Sequence, residues 1–372
     1  MKIKDFGVET WINRYEKDCT YNLTETCVGT LTIDELLELS GNSDEIINEI
    51  KNMKMGYGDI FGSSRLRNLI SGLYNTAEDN NISITHGAIG ANALTMLTLV
   101  EQGDKVITIL PIYQQHYSIP ESIGANVTTL YLKEERNWLP DLDEIRRNAT
   151  PDTKLICINN PNNPTGSVMS EEFLKEIVNI AKECDAYLLC DEAYRGLTHE
   201  GENFTTSVFD LYDKAISTGS MSKTFSLPGL RLGWVVGPTD FIEKINHQRN
   251  YHVISIGRIN DYLASIALEN KDKIVKRNIK ICRTNAKMLD EWVMGEKHID
   301  YIKPTGGTTA FLKFDLNMTS AELCLRLQKE TGVMFLPGSV LEMEGYLRIG
   351  YTGDINNIHK ALTTFSGWLN QF

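Results

Sequence analysis

Short apolar segments alternate with longer amphipathic ones through the middle of the chain, and this alternation constrains the fold more than any other feature. Apolar, β-branched runs at 105–109, 154–158, 187–190 and 232–236 predict buried strands, because continuous apolar strands are typical of a sheet covered on both faces. Residues 170–178 predict a helix, with a serine N-cap, an acidic first turn and apolar residues at helical spacing. The alternation extends over about 200 residues and predicts an α/β fold with a mostly parallel, doubly wound sheet.

The C-terminal third has a different pattern, which predicts a second, smaller α+β domain. Residues 272–294 predict a long polar helix, residues 309–314 and 346–351 predict strands, and a further helix is expected from Ser320. At 372 residues the chain also exceeds the size at which a single core usually stops growing. We therefore predict three parts: an N-terminal segment that packs with the small domain (1–40), a large domain (41–255) and a small C-terminal domain (256–372).

The composition narrows the kinds of partner that the chain can have. Its 37 basic and 49 acidic residues leave a net charge of −12, which disfavours nucleic acid and anionic membranes. Its seven cysteines are odd in number and form no C-x-x-C pair, so neither a disulfide framework nor a metal site is expected. We recognise no secretory signal and no apolar run long enough to span a bilayer, and we expect a cytoplasmic protein.

A lysine, two serines and an arginine in the segment 220–233 are the groups that a phosphorylated aldehyde needs. Lys223 can form a Schiff base with the aldehyde. Ser220, Ser222 and Arg231 can bind the phosphate dianion. The combination points to pyridoxal 5′-phosphate, and we expect burial and nearby positive charge to lower the pKa of Lys223. A lone lysine is more often a solvated surface residue, so the interpretation depends on groups elsewhere in the chain.

Residues that suit the ring of this cofactor follow two of the predicted strands. Asp191 directly follows an apolar run, where its carboxylate can keep the pyridine nitrogen protonated, and Tyr194 can then donate to the ring oxygen. An ordinary helix N-cap is an equally good interpretation of Asp191. Asn163 lies in a turn that Pro161 and Pro164 make rigid, so its amide can also donate to the ring oxygen. A plain tight turn would need fewer such constraints.

Three further places suit the phosphate, the ring or the substrate. Glycines within 86–90 let backbone amides approach an anion at a helix N-terminus, although structural turns of this kind are more common. Tyr113 follows a predicted strand and can stack on a flat ring, although packing tyrosines are more common. Arg348 lies within an apolar strand, where its fork of donors suits a substrate carboxylate, with a structural ion pair as the alternative.

With these motifs in this order, the chain resembles the class I/II aminotransferases of the aspartate aminotransferase fold, a fold type I family of pyridoxal phosphate enzymes, from about Gly56 to Tyr351. The resemblance implies a large domain with a seven-stranded type of sheet and a smaller α+β domain. It implies that Lys223 carries the cofactor and moves the proton at the substrate Cα, and that Asp191 pairs with the pyridinium. The remaining cofactor contacts that it implies are Ala88, Ile89, Tyr113, Asn163, Tyr194, Ser220, Ser222 and Arg231.

The resemblance also bears on assembly and on the substrate. Tyr57 is similar to the tyrosine that reaches the phosphate of the neighbouring subunit, which implies a homodimer with shared active sites. Arg348 is similar to the residue that binds the substrate α-carboxylate, and Asn163 is also expected to contact the substrate.

Two departures from the family pattern concern the phosphate turn and the substrate. Ile89 stands where the family usually has a hydroxyl or amide side chain, so one phosphate contact is expected to be missing. Residues 22–28 replace a glycine-rich run that ends in proline. We hypothesise that Glu25, within that segment, lines the substrate pocket and favours an amino acid with a cationic or donor-rich side chain. A surface or helix-capping role explains Glu25 equally well.

The resemblance implies an aminotransferase that moves an amino group between an L-amino acid and a 2-oxo acid by a ping-pong scheme. Another pyridoxal phosphate reaction on the same fold stays open, such as β-elimination or the oxidation or cyclisation of an amino acid, because fold does not determine reaction type. A ligand-sensing domain of a transcriptional regulator is disfavoured, since the aminotransferase-like region starts early and the chain is acidic. A dinucleotide-binding enzyme is disfavoured because no G-x-G-x-x-G follows a strand. The sequence names neither substrate.

Overall fold

Strands and helices alternate through the middle of the chain in the computed structural model, which describes residues 2–372. The helices are α1 (Gly7–Tyr15), α2 (Ile33–Ser40), α3 (Ser43–Asn52), α4 (Ser64–Ser71), α5 (Gly87–Leu99), α6 (Gln115–Ile123), α7 (Leu142–Asn148), α8 (Glu171–Glu183), α9 (Thr239–Arg249), α10 (Arg258–Glu269), α11 (Lys271–Gly295), α12 (Ser320–Thr331) and α13 (Ile355–Leu369). The strands are β1 (Tyr21–Asn22), β2 (Ile82–Thr85), β3 (Lys105–Leu110), β4 (Asn126–Tyr131), β5 (Thr153–Asn159), β6 (Tyr187–Asp191), β7 (Ala215–Ser220), β8 (Gly233–Val236), β9 (Ile299–Tyr301), β10 (Thr309–Phe314), β11 (Val333–Met334), β12 (Leu336–Pro337) and β13 (Tyr346–Gly350).

The central sheet has seven strands in the order β2-β8-β7-β6-β5-β3-β4. Strands β4, β3, β5, β6 and β7 run parallel to one another, whereas β8 runs antiparallel to both β7 and β2. The prediction of an α/β fold with a mostly parallel sheet is confirmed. The antiparallel direction of β8 was not anticipated, because an apolar run predicts a buried strand but carries no information about its direction.

Helices cover both faces of this sheet, which explains why its strands are continuously apolar. Successive strand residues point to opposite faces, so Leu155 packs with α5 and α9 while Ile156 packs with α8. The predicted N-cap of α8 is present, since the Ser170 hydroxyl accepts a hydrogen bond from the Phe173 amide at 3.2 Å. The amphipathic face that follows presents Leu174 and other apolar residues to the sheet.

The C-terminal part forms a second core around a four-stranded sheet in the order β12-β13-β10-β9. Helices α11, α12 and α13 pack on this sheet through buried residues such as Leu289, Leu327 and Phe365. Strand β1 pairs in parallel with β11, where Tyr21 lies opposite Val333, so the N-terminal segment contacts this part of the chain. The boundaries at 40/41 and 255/256 stay predictions.

The parallel strands bring polar residues together at one edge of the large sheet. Asn159, Asp191 and Ser220 are the last residues of β5, β6 and β7. In open α/β sheets, ligands bind outside the carboxyl ends of the strands. Within residues 2–372, none of the helices combines the length and the apolar character needed to cross a membrane.

Candidate active site

A cavity of about 390 Å³ opens at the carboxyl ends of the parallel strands. Its walls come from the large sheet, from β13 and from the N-terminal segment, including α1. The structure brings all but one of the predicted site residues to this cavity: Glu25, Ala88, Ile89, Tyr113, Asn163, Asp191, Tyr194, Ser220, Ser222, Lys223, Arg231 and Arg348. The exception is Tyr57, which is 82% exposed and does not line the cavity of its own chain.

Asp191 is 6% exposed and is held by three donors. Its Oδ2 accepts a hydrogen bond from Asn92 Nδ2 at 2.7 Å and faces His116 Nε2 at 3.5 Å, while its Oδ1 accepts from the Ala193 amide at 3.0 Å. Burial by itself raises the pKa of Asp191, but His116, Asn92 and the Ala193 amide together lower it below its ordinary value. Asp191 is therefore an anion, as a partner for a protonated pyridine nitrogen has to be.

Sequence reasoning missed both Asn92 and His116. Asn92 also accepts a hydrogen bond from the Thr218 hydroxyl at 2.7 Å, so its amide is fixed with the nitrogen toward Asp191. A buried asparagine in the mostly apolar helix α5 is the signal that could have identified it. His116 carried no comparable signal.

The turn after β5 is tied directly to Asp191. Asn159 Nδ2 donates to the Asp191 carbonyl at 2.7 Å, and Asn159 Oδ1 accepts from the Asn163 amide at 2.7 Å. Asn163 Oδ1 in turn accepts from Arg348 Nη1 at 3.3 Å. This contact leaves the side-chain nitrogen of Asn163 as its remaining donor, which is the group that a ring oxygen needs.

Lys223 follows β7 and is partly buried at the cavity wall. Its Nζ donates to Thr26 Oγ1 at 2.5 Å and to Cys27 Sγ at 3.4 Å. Burial lowers the pKa of Lys223, but the Tyr194 phenol and the Cys27 thiol outweigh that effect and the pKa is raised. The expectation of a lowered pKa is therefore wrong.

The phosphate turn, residues 86–90 at the start of α5, and the neighbouring residue Gly233 of β8 form a concave site that we call the phosphate cradle. Two glycines keep it open. A Cβ on Gly233 would lie 2.3 Å from the Gly87 carbonyl carbon and 2.6 Å from the Ala88 nitrogen, so only glycine allows β8 to approach the turn. Gly87 has φ +70°, and its own Cβ would lie 3.0 Å from Arg231 Nη2. The N-terminus of α5 therefore lies beside a guanidinium and the hydroxyls of Ser220 and Ser222.

This donor set fits pyridoxal 5′-phosphate. The glycine cradle offers backbone amides, hydroxyls and an arginine to a phosphate, while the same cavity holds the anionic Asp191 and the amine of Lys223. Ile89 contributes no polar side chain to the cradle, as its sequence already indicated.

Tyr113 is fixed by the N-terminal helix. Its hydroxyl donates to Glu9 Oε1 at 2.6 Å, and its ring lies 4.7 Å from the ring of Phe6. Burial and the Glu9 carboxylate raise the pKa of Tyr113 well above its ordinary value, so the phenol stays neutral. Sequence reasoning missed Glu9, because no local pattern connects α1 to a tyrosine 104 positions away.

Arg348 is 2% exposed and has no carboxylate partner within 4 Å in the described chain. Its Nη2 donates to the Thr24 carbonyl at 2.9 Å, Nη1 contacts Asn163, and Nε has no partner among residues 2–372. The alternative of a structural ion pair is therefore not what the structure contains. A buried guanidinium with a free donor suits an anionic ligand, because buried charges are rarely left unpaired.

Glu25 lies in the segment that crosses the end of β13. The segment is so close that a Cβ on Gly350 would lie 1.6 Å from the Glu25 carbonyl oxygen. The Glu25 side chain is exposed and lines the cavity. Its role in substrate choice, like the roles of the other predicted residues, stays a prediction.

Comparison with known proteins gives a consistent result. The family model described as aminotransferase class I and II matches residues 31–365. Capreomycidine synthase of Streptomyces vinaceus is 28% identical over 363 residues, covering 96% of this chain and 92% of that protein. Aspartate aminotransferase of Pyrococcus horikoshii is 29% identical over 297 residues, covering 77% and 76%. The crystal structure of a pyridoxal phosphate-dependent aminotransferase from Streptococcus suis superposes with a TM-score of 0.97 at 39% identity, covering 100% and 99%.

Proposed function

The chain belongs to the class I and II aminotransferase family, whose cofactor is pyridoxal 5′-phosphate, and we propose that it transfers an amino group between an L-amino acid and a 2-oxo acid. One observation carries the proposal. A single cavity contains an amine at Lys223, a buried anion at Asp191 and, at Arg348, a buried guanidinium whose Nε has no partner. These are the groups needed to bind an aldehyde cofactor, to keep its ring protonated and to hold an amino-acid carboxylate.

The cofactor would be held by groups from four strand ends. Asp191 would contact the pyridine nitrogen, Asn163 and Tyr194 the ring oxygen, and Tyr113 a ring face. The phosphate would contact Ala88, Ile89, Ser220, Ser222 and Arg231. When bound, the cofactor supplies an aldehyde for amines and a ring that withdraws electrons from the substrate Cα.

Lys223 would move the proton at the substrate Cα. Thr26 and Cys27 accept hydrogen bonds from Nζ, and these contacts hold the amine at the cavity wall when it is not bonded to the cofactor. A positioned base of this kind typically contributes a factor of about 10² to 10⁴ in rate. Thr26 and Cys27 are thus positioning residues for Lys223.

Arg348 and Asn163 would orient the substrate through its α-carboxylate. Arg348 Nε is free, and the guanidinium is fixed by Asn163 and by the Thr24 carbonyl, so little side-chain freedom would be lost on binding. Val8, Glu9 and Ile12 of α1 line the same cavity. Helix α1 would therefore help to exclude water from the reacting atoms.

Assembly as a homodimer with shared active sites belongs to the same proposal. Tyr57 is 82% exposed, and so are large parts of Met55, in the same segment, and of Tyr251 and Ile254, in a second segment. The two segments meet, since a Cβ on Gly58 would lie 3.0 Å from the Ile256 carbonyl oxygen. Exposed apolar patches of this kind mark interfaces. Sedimentation analysis should give twice the chain mass, and a monomer that retains full activity would exclude the shared site.

We also place the protein in the cytoplasm. All seven cysteines are free in the structure, and disulfides are rare where glutathione keeps thiols reduced.

Visible absorbance tests the main proposal. Purified protein mixed with pyridoxal 5′-phosphate should acquire the absorbance band of a cofactor covalently bonded to lysine, which the Lys223→Ala variant should lack. Certain amino acids should remove the band and certain 2-oxo acids should restore it, with a matched oxo acid and a new amino acid as products. A protein that takes up no cofactor would refute the proposal.

A cyclising or other pyridoxal phosphate reaction is the second candidate. The observation in its favour is the similarity to capreomycidine synthase over 96% of the chain. The cofactor residues do not discriminate between these reactions, because all of them would use the same electron-withdrawing ring to weaken a bond at the substrate Cα. Product analysis does: a cyclic product formed without a 2-oxo acid indicates cyclisation, and pyruvate with ammonia indicates β-elimination.

A further inference from the structure

Two carboxylates, Glu9 of α1 and Glu25, lie on the segments that cover the cavity. We propose that Glu9, oriented by Tyr113 and supported by Glu25, binds a positive charge on the substrate side chain. The substrate class is then an L-amino acid that carries an amine or guanidine on its side chain. This inference rests on the proposed function, since it takes Arg348 as the site of the α-carboxylate.

Glu9 is held in place from both parts of the molecule. The Gly7 amide donates to Gln114 Oε1 at 2.7 Å, and Gln114 Nε2 donates to the Asp5 carbonyl at 2.8 Å. On the other side, Trp11 Nε1 donates to the Phe335 carbonyl at 3.2 Å. Because both contacts fix α1, the backbone of Glu9 is held beside the cavity by the fold itself.

The Glu9 carboxylate keeps capacity for a ligand. It accepts one hydrogen bond from the neutral Tyr113 phenol at 2.6 Å, whereas a carboxylate has room for about four. Among residues 2–372, no lysine, arginine or histidine nitrogen lies within 4 Å of the carboxylate oxygens of Glu9 or Glu25. Glu9 is half-buried, so its carboxylate is costly without a cation, and a cationic ligand would remove that cost.

Arg348 independently indicates what the ligand looks like. It is 2% exposed, lines the same cavity and has an Nε without a partner in the described chain, so it calls for an anionic group. Burial lowers the pKa of Arg348, whereas Tyr194, Tyr113, Glu9 and Glu25 raise it. Both carboxylates are therefore close enough to interact electrostatically with Arg348. The ligand thus has an anion at one end and a cation at the other.

The α-amino group cannot be that cation. In the proposed reaction it reacts with the cofactor aldehyde, so the second positive charge has to come from the side chain. An acidic side chain would be repelled by Glu9 and Glu25. An apolar side chain would displace water from both carboxylates without giving them a hydrogen-bond partner. This desolvation cost is how a site discriminates against the wrong substrate.

Spectral titration of the holoenzyme with matched amino acids tests this assignment. Citrulline has nearly the shape of arginine without its charge, and norvaline resembles ornithine without its amine. The wild-type protein should bind the charged member of each pair at least about tenfold more tightly, as expected for a charge-assisted hydrogen bond. Glu9→Gln keeps an acceptor for Tyr113 and should lose most of that ratio. Glu16→Gln, on the same segment but outside the cavity, should keep it.

The outcomes separate the two proposals. If no amino acid changes the spectrum of the loaded protein, the proposed function fails. If neutral amino acids change it while each charged and neutral pair binds equally, only the substrate class is wrong. An unchanged arginine-to-citrulline ratio in Glu9→Gln would also overturn the role of Glu9. Equal cofactor absorbance in wild type and variant shows that the variant is folded, and Arg348→Lys should weaken both members of each pair alike.

Discussion

Substituting Gly233 by alanine tests the construction of the phosphate cradle. Gly233 lies in β8 between Thr85 of β2 and Ser220 of β7, so it contacts the turn and the hydroxyl side of the cradle together. The added Cβ would lie 2.3 Å and 2.6 Å from backbone atoms of Gly87 and Ala88. Backbone cannot rotate away as a side chain can, so the strand and the turn must separate.

The expected size of the effect follows from these contacts. Overpacking a well-packed site costs typically about 1–3 kcal/mol, and contact with backbone on both sides favours the upper end of about 3 kcal/mol. For a chain of 372 residues such a loss lowers the melting temperature by roughly 4 °C. The separation also moves the Ala88 amide from the phosphate, and losing one charge-assisted hydrogen bond weakens cofactor binding at least about tenfold.

Thermal unfolding of the apo-protein and equilibrium titration with pyridoxal 5′-phosphate measure the two effects separately. Gly229→Ala is the matched control, because a Cβ at that exposed glycine meets nothing within 4 Å. Its melting temperature and cofactor affinity should equal those of the wild type. If Gly233→Ala behaved like Gly229→Ala in both measurements, the cradle described above would be wrong.

Three further variants address the active site and the fold. Lys223→Ala should slow amino transfer at least about 10²-fold, measured as turnover. The variant should still bind the cofactor but without a covalent bond, so mass spectrometry after borohydride treatment should find no cofactor attached to the chain. The pKa of Asp191 is lowered in the folded chain, so its carboxylate stabilises the fold above the ordinary carboxylate pKa, and this stability is lost as the pH falls through the lowered value. The free energy of unfolding of Asp191→Asn, measured against pH, should therefore decrease less steeply on the acid side. A curve equal to that of the wild type would contradict this. Ser170→Ala removes the hydroxyl that caps α8 and should cost about 1 kcal/mol in urea unfolding without changing cofactor binding.

Local patterns predicted most of the elements that build the site. The apolar runs became β3, β5, β6 and β8, because a strand buried on both faces has to be apolar throughout. The serine cap placed the start of α8 correctly, since the cap satisfies backbone amides within three residues. The strand containing Arg348 was expected for the same local reason, and its apolar neighbours indicated a buried guanidinium.

Contacts between distant segments were beyond such reasoning. His116 and Asn92 lie 75 and 99 positions from Asp191 in the sequence. The residues next to Asp191 in the chain therefore do not indicate which groups keep it ionised. The direction of β8 and the position of α1 over the cavity depend likewise on packing between segments. The pKa of Lys223 was mispredicted because its sign depends on Tyr194 and Cys27, which reach the amine only in the folded chain.

The sequence by itself determined the fold class, the cofactor and the set of candidate residues, because strand burial, helix caps and rigid turns are local properties of neighbouring side chains. The tertiary structure decided the electrostatics of the cavity. It brought Glu9 to Tyr113 across 104 positions, and it left Arg348 buried with a free donor. Charge interactions depend on distance in space and on burial, and neither can be read along the chain.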